Sequence, residues 1–385
     1  MSDPVLEPGD TPVGRVPGAG MERRARLELS RESWVLRRPR RRPRRGRWAD
    51  GPAALAARVG DLDDVHRLEV RACDDPGGRV AAADVETVVA PFARRAVARG
   101  TLVLADLPDA LGGAVPVALR GVAGAPGDLA HDLASVGQRR GVIAAALPAD
   151  LPTVTAVVAT RRPQLLGRVA AMLAAQTYGP LDVVVVVHGG DPDALPEVGV
   201  PGRQVRVVAA PAEVSLGRAL QVGCDAAEGE LVTKLDDDDH YGPDHVLDLV
   251  LAHRVSGATL VGKSTTIVHL EDLDVTVRRV FGTPESYVHR VAGGTILLSR
   301  ADLAEVGGWS DVPRAVDSAL IRSVRTAGGR VYRPHDLGYV YVRHRRPEGS
   351  AEGHTWAADA GHFLVSAREQ WLGLLRRPEL GTTAT

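Results

Sequence analysis

Lysine is nearly absent from this chain: Lys234 and Lys263 are the only two, against 45 arginines. With abundant Ala, Gly, Pro and Val, this bias reads as the imprint of a GC-rich bacterial genome. The two lysines are placed either by chance or for a role; one precedes a run of aspartates and the other closes the strand-like ATLVGK. Cysteine is also scarce. Cys73 and Cys224 are too few for a disulfide framework, which fits a reduced, cytoplasmic compartment. No stretch approaches 18 consecutive apolar residues, so no membrane-spanning helix is expected. The N-terminus lacks the apolar core of a secretory signal. Aromatics do not interleave the basic block RRPRRRPRRGR at 37–47, so it lacks a stacking platform for nucleic acid, and no nucleic-acid partner is expected.

What is present falls into four stretches. Residues 1–50 hold Pro, Gly, Arg and Glu with little periodicity, which predicts a disordered segment. Its basic block either touches anionic lipid or is a solvated tail. Residues 51–148 predict a small α/β domain of unknown role. VHRLEV and TLVLADL read as strands and DVETVVAPFARRAVARG as a helix ending at Gly100. From 149 to 350 the alternation sharpens. TVTAVVAT, LDVVVVVHGGD, VRVVAAP and ELVTKL read as buried strands of a largely parallel sheet. RPQLLGRVAAMLAAQT and SLGRALQVGCDAAEGE read as helices, the second with Ser215 at its N-cap and Gly229 past its end. Residues 351–385 predict a C-terminal helix and tail.

The aspartate run, KLDDDDHYGPD, closes the fourth of these strands. At roughly 6 Å and an effective dielectric near 20, each pair of carboxylates costs about 3 kcal/mol. The run can sit in solvent, take up protons at raised pKa, or hold a divalent cation, for which Asp oxygens are suitable hard ligands. Open α/β sheets bind ligands at the carboxyl ends of their strands, where this run lies.

Residues 153–345 resemble family 2 glycosyltransferases of the GT-A fold, a Rossmann-like mixed sheet with helices on both faces. The resemblance is carried by five motifs in order: the turn AlaThrArgArgPro with GlnThrTyr at 176–178, LGRALQVGCDAAEGE, LDDDD at 235–239, AGGTILLSRADLAEVGGW, and AVDSALIRSVRTAGGRVYR. Leu220 and Gln221 replace the family's usual Arg-Asn pair, and Val316 stands where Glu is common. HisGlyGlyAsp replaces the acidic turn after the second strand.

The resemblance implies a nucleotide-diphosphate sugar as donor, Mn2+ or Mg2+ as cofactor, and a saccharide or lipid-linked acceptor. It implies nucleotide contacts from Thr160, Arg161, Asp191, Arg218, Lys234, Asp236 and Asp237. Asp238 and Asp239 are the expected metal-facing pair, with Asp237 and Asp239 as the alternative register, because neighbouring side chains in a strand point oppositely. A late histidine, His344 before His354, completes the metal shell. Asp317 is the expected general base, and a carboxylate facing a helix dipole is its structural alternative. Gly293 and Gly294 either let backbone approach the acceptor or make a tight turn. Trp309 either stacks on the acceptor sugar or packs in the core. In bacteria the family's usual setting is cell-surface polysaccharide or glycolipid assembly, which would bring a cytoplasmic enzyme to the inner membrane face. Two competing readings remain: a non-catalytic saccharide-binding or scaffolding domain, and a sugar nucleotidyltransferase. The first turn has no glycine, unlike the phosphate-cradling loop of the second.

Overall fold

Strict alternation hides inside the arginine-rich start of the chain. In RARLEL, Ala25, Leu27 and Leu29 are buried while the charged residues between them face outward. A computed structural model describes residues 6, 10–16, 22–73, 80–147, 150–191, 194, 196–345 and 360–383. It divides into two units, Met1–Pro148 and Ala149–Thr385.

In the first unit, strands β1 (Arg24–Leu29), β2 (Ser33–Arg37) and β3 (Arg44–Arg47) join β4 (Arg67–Ala72) and β5 (Leu102–Asp106). The sheet order is β3-β2-β1-β4-β5, with β1, β4 and β5 parallel. This corrects the expectation of disorder over residues 24–47. The arginines are the outward half of a period-2 pattern whose inward half includes Trp34 and Leu36. Outward pairs such as Arg37 with Glu28 and Arg26 with Glu69 line the exposed face. The helix Ala90–Ala98 packs Phe92, Ala93 and Ala96 into this core.

The second unit is a mixed α/β fold built on an eight-stranded sheet. Its parallel heart is β8 (Val205–Ala210), β7 (Leu181–His188), β6 (Val154–Thr160) and β9 (Leu231–Leu235), in that order. β7 is a β-branched run buried on both faces, which suits a strand covered from two sides. Antiparallel to β9 runs β15 (Leu297–Ser299), followed by β11 (Leu260–Val261), β16 (Val331–Arg333) and β14 (Ser286–Tyr287). The helices Leu216–Asp225 and Val316–Thr326 share one core with alternate residues of these strands. The helix His245–Ser256 packs on β11, β15 and β16 outside that cluster, on the opposite face. This is the GT-A-type architecture expected from the motifs.

A five-stranded sheet, β10-β17-β12-β13-β18, completes the unit: β10 (His240–Tyr241), β12 (Ile267–Leu270), β13 (Val275–Arg279), β17 (Tyr339–Arg343) and β18 (Ala367–Leu372). The expected C-terminal tail thus contributes an edge strand paired to β13, and the short helix Ala360–Leu364 buries Phe363. From β6 the chain steps to β7 and β8 on one side, then returns to β9 on the other. The site of strand-order reversal therefore lies between the carboxyl ends of β6 and β9.

Candidate functional site

Leaving β9, the four aspartates turn to four different sets of partners. Asp236 accepts from Lys234 Nζ at 2.7 Å. Asp237 is buried and accepts from Thr160 Oγ1 and from the Arg162 guanidinium, which joins the ends of β6 and β9. Asp238 accepts from Arg162 Nη2 at 2.7 Å and faces His344 Nε2 at 3.2 Å. Asp239, also buried, accepts from Tyr339 Oη at 2.7 Å and Val342 N at 2.8 Å. The crowding is relieved by dispersal. Backbone carbonyls of Asp237 and Asp239 accept from Arg168 Nη2, which fixes the turn from beneath.

The charges follow from these contacts. Burial raises the Asp238 carboxyl, but hydrogen bonds from His344 and Arg162 outweigh it and hold the group well below the usual carboxylate range. Burial, reinforced by the charges of Asp236 and Asp238, pushes Asp239 well above that range. The hydrogen bond to Asp238 raises the His344 imidazole against the cost of its burial. Burial alone would lower the Lys234 ammonium; Asp236 and Asp317 more than reverse this.

Two expectations are therefore corrected. Asp239 does not face a metal; both its oxygens are taken by β17, because the chain turns into β10 there and swings the side chain under that strand. Thr160 and Asp237 do not present free groups to a nucleotide; they bind each other across the β6–β9 crevice. Asp238 and His344 are the pair that meets. His344 Nδ1 lies 2.9 Å from Glu271 Oε1, which orients the ring so that Nε2 faces Asp238. A carboxylate behind a histidine in this way is the usual outer support of a metal ligand, and the carboxylate oxygen of Asp238 is of the kind that suits Mn2+ or Mg2+. Among the described residues no group of three or more His, Cys, Asp or Glu side chains gathers to hold an ion. The remaining ligands of a cation held by Asp238 and His344 would come from outside this set of described side chains. His354 lies outside the described residues.

Asp317 sits in the first turn of the helix Val316–Thr326, which Ala315 opens in the left-handed conformation at φ 56°. Its Oδ1 lies 3.4 Å from Lys234 Nζ. The Gly293–Gly294 step reaches both acids. A Cβ on Gly293 would stand 2.0 Å from Asp317 Oδ2, and one on Gly294 would stand 2.5 Å from Asp236 Oδ2. These glycines serve close approach to carboxylates. Tyr241 pins the same step, donating to Gly294 O at 2.7 Å while accepting from Asp236 N at 2.8 Å.

The other expected contacts lie apart from this cluster. Arg161 is exposed and donates to Ala212 O at 2.7 Å, with His188 also against its guanidinium. Asp191 and Arg218 are exposed, the first beyond β7 and the second in the first turn of the helix Leu216–Asp225. Trp309 is not an exposed sugar platform: it is 6% exposed and packs in the core with Leu220 and Cys224. The paired glycines before it turn it inward, and Gln221 Oε1 accepts from its backbone N at 2.8 Å. Sequence reasoning missed Arg162, Arg168 and Glu271. Arg162 had a signal, because two adjacent arginines at a strand end point in opposite directions and only one can face the crevice. Glu271 had none.

Residues 155–283 match the family described as Glycosyl transferase family 2. The matched stretch lies within the second unit. No curated protein matches the sequence. Among solved structures it is similar to the mannosyltransferase PcManGT from Pyrobaculum calidifontis in complex with GDP-Man and Mn2+, at 19% identity and TM-score 0.41, over 52% of this chain and 59% of that one. S. aureus TarS 1–349 in complex with UDP-GlcNAc gives 14% identity and TM-score 0.40, over 52% and 61%. GalNAc-T7 with UDP, GalNAc and Mn2+ gives 15% and 0.42, over 52% and 45%. The chain thus spans less than two thirds of the length of each. Among the described residues no helix is long and apolar enough to cross a membrane.

Proposed function

We propose that the glycosyltransferase domain moves a sugar from a nucleotide-diphosphate sugar to an acceptor hydroxyl, with inversion, and that a divalent cation assists it. One observation carries the reading. Asp236, at the strand end where the donor is expected, and Asp317, the expected base, both meet the ammonium of Lys234. An acidic run splayed into solvent would have had no such partner.

In this mechanism Asp317 accepts the acceptor's hydroxyl proton as that oxygen bonds to the anomeric carbon. The bond from that carbon to the diphosphate breaks on the opposite face, and the nucleoside diphosphate leaves with the electron pair. Asp238 and His344 would hold Mn2+ or Mg2+, which supplies Lewis-acid neutralisation of the diphosphate. The Gly293–Gly294 step admits the acceptor beside Asp317. A saccharide or lipid-linked acceptor in cell-envelope assembly fits the family setting, with the enzyme acting at the inner membrane face.

The test is a panel of nucleotide-sugars with and without Mn2+ or Mg2+, followed for nucleoside diphosphate release. Metal-dependent release from one donor is expected. Asp317→Asn should nearly abolish transfer while leaving donor affinity within about a few-fold, as loss of a general base predicts. Retention of most turnover would remove Asp317 from the role. Failure of the chain to bind any nucleotide in calorimetry would favour the non-catalytic reading.

A further inference from the structure

Both lysines of this arginine-rich chain are buried, and both are paired with acids. Lys263 is fully enclosed, donating to Asp248 Oδ2 at 3.1 Å and Leu337 O at 2.6 Å. Lys234 is 5% exposed and lies on β9, two residues before Asp236. An ammonium taken out of water costs several kcal/mol unless acids compensate it. Lys234 has two, contributed by elements far apart in the chain. Asp317 Oδ1 is buried and accepts no hydrogen bond; Lys234 Nζ faces it at 3.4 Å. The other oxygens of the two carboxylates are pressed against Gly294 and Gly293. A compact ammonium with three rotatable donors can serve two carboxylates in different planes.

We propose that Lys234 is a positioning residue of the transfer reaction: its ammonium ties the donor-side carboxylate of Asp236 to the acceptor-side carboxylate of Asp317 and so aims the base. This deepens the reading given above and rests on it. Asp317 is held from one side by Gly293 and from the other by Lys234. Loss of the lysine leaves the helix Val316–Thr326 in place but frees the carboxylate to rotate.

The chain's composition makes the contact directly measurable. Full-length protein labelled with 15N-lysine has two side-chain amine signals, and Lys234→Met or Lys234→Arg assigns them. Asp317→Asn is expected to shift the Lys234 signal and leave that of Lys263 in place. An unmoved Lys234 signal overturns the proposal, whatever the enzyme does. In the donor assay that gives transfer, Lys234→Met should lower turnover about a hundredfold, the scale of a misaimed general base. Adding Lys234→Met to Asp317→Asn should then lower it no further. Additive losses would mean that Lys234 acts by another route and would overturn the coupling. If Lys234→Met does not fold, Lys234→Arg carries the same comparison. A wild-type chain that transfers from no donor refutes the functional reading, and the lysine signals then judge the contact alone.

Discussion

Arg162 neutralises two members of the acidic run at once, Asp237 and Asp238. Removing it leaves Asp237 buried with Thr160 as its remaining side-chain partner, so Arg162→Met should destabilise by about 1–3 kcal/mol, the scale of a buried acceptor left short of partners by loss of a half-exposed arginine. A urea titration reads this; a change under 1 kcal/mol would mean that the arginine is dispensable. Gly293 poses the converse test. Its Cβ would fall within the Asp317 carboxylate, so Gly293→Ala should displace the proposed base. Transfer should fall by about a hundredfold or more, as for a misplaced catalytic group, while the thermal midpoint stays near that of wild type. At this scale the sequence exposed much. Asp236, Asp238, Asp317, Lys234 and His344 were all legible as special, because charge runs, rare residues and motif order are local signals. It misjudged Asp239 and left Trp309 open between a sugar platform and the core, because the surroundings of both are supplied by residues far along the chain.

The helix Leu216–Asp225 shows how an element is seated. Gly223 lies against the sheet, where a Cβ would stand 2.5 Å from Val157 Cγ1 and 2.7 Å from Val186 Cγ2. Gly223→Ala should therefore overpack a close helix–sheet contact and destabilise by about 1–3 kcal/mol. Gly167 is the control: it is exposed, and a Cβ there meets nothing within 4 Å. Gly167→Ala should be neutral or stabilise by up to about 1 kcal/mol. Denaturant midpoints of the two variants compare them directly, and equal shifts would contradict the packing account. The strands β6, β7, β8 and β9 were readable because burial on both faces demands long apolar β-branched runs. β1, β2 and β3 were not, since arginine on alternate positions made a half-buried sheet look like a charged tail. Gly229 lies past the end of the helix, as expected, and there it also clears the backbone of β6, with Thr155 N only 2.7 Å from the place of a Cβ.

Over the second unit as a whole, buried histidines set the response to acid. Burial, with Lys263 adding to it, lowers His245 well below 6.5; burial also lowers His335, and takes His240 to about 4. A group depressed on folding binds its proton more readily in the unfolded chain, so stability is present above 6.5 and is lost as pH falls towards 4. Hydrogen exchange in β6, β7 and β9 of the full chain should quicken over this window after correction for intrinsic rates. His245→Phe should shallow the dependence, and a slope unaltered by that change would rule His245 out as a contributor. The same histidine stacks edge-on against Tyr241 at 4.7 Å between ring centroids, so the packing behind the aspartate turn shares in this sensitivity.

The sequence by itself determined that an α/β sheet would form and that an acidic run would end one of its strands. Both follow from hydrophobic period and local composition, which act over a few residues. Only the tertiary structure decided which carboxylate meets which partner. Asp237 turns to β6, Asp238 to the end of β17 and Asp239 beneath it, while Asp236 shares Lys234 with a helix opening some eighty residues later. The direction of a side chain past a strand end is set by long-range contacts, and no local pattern records them.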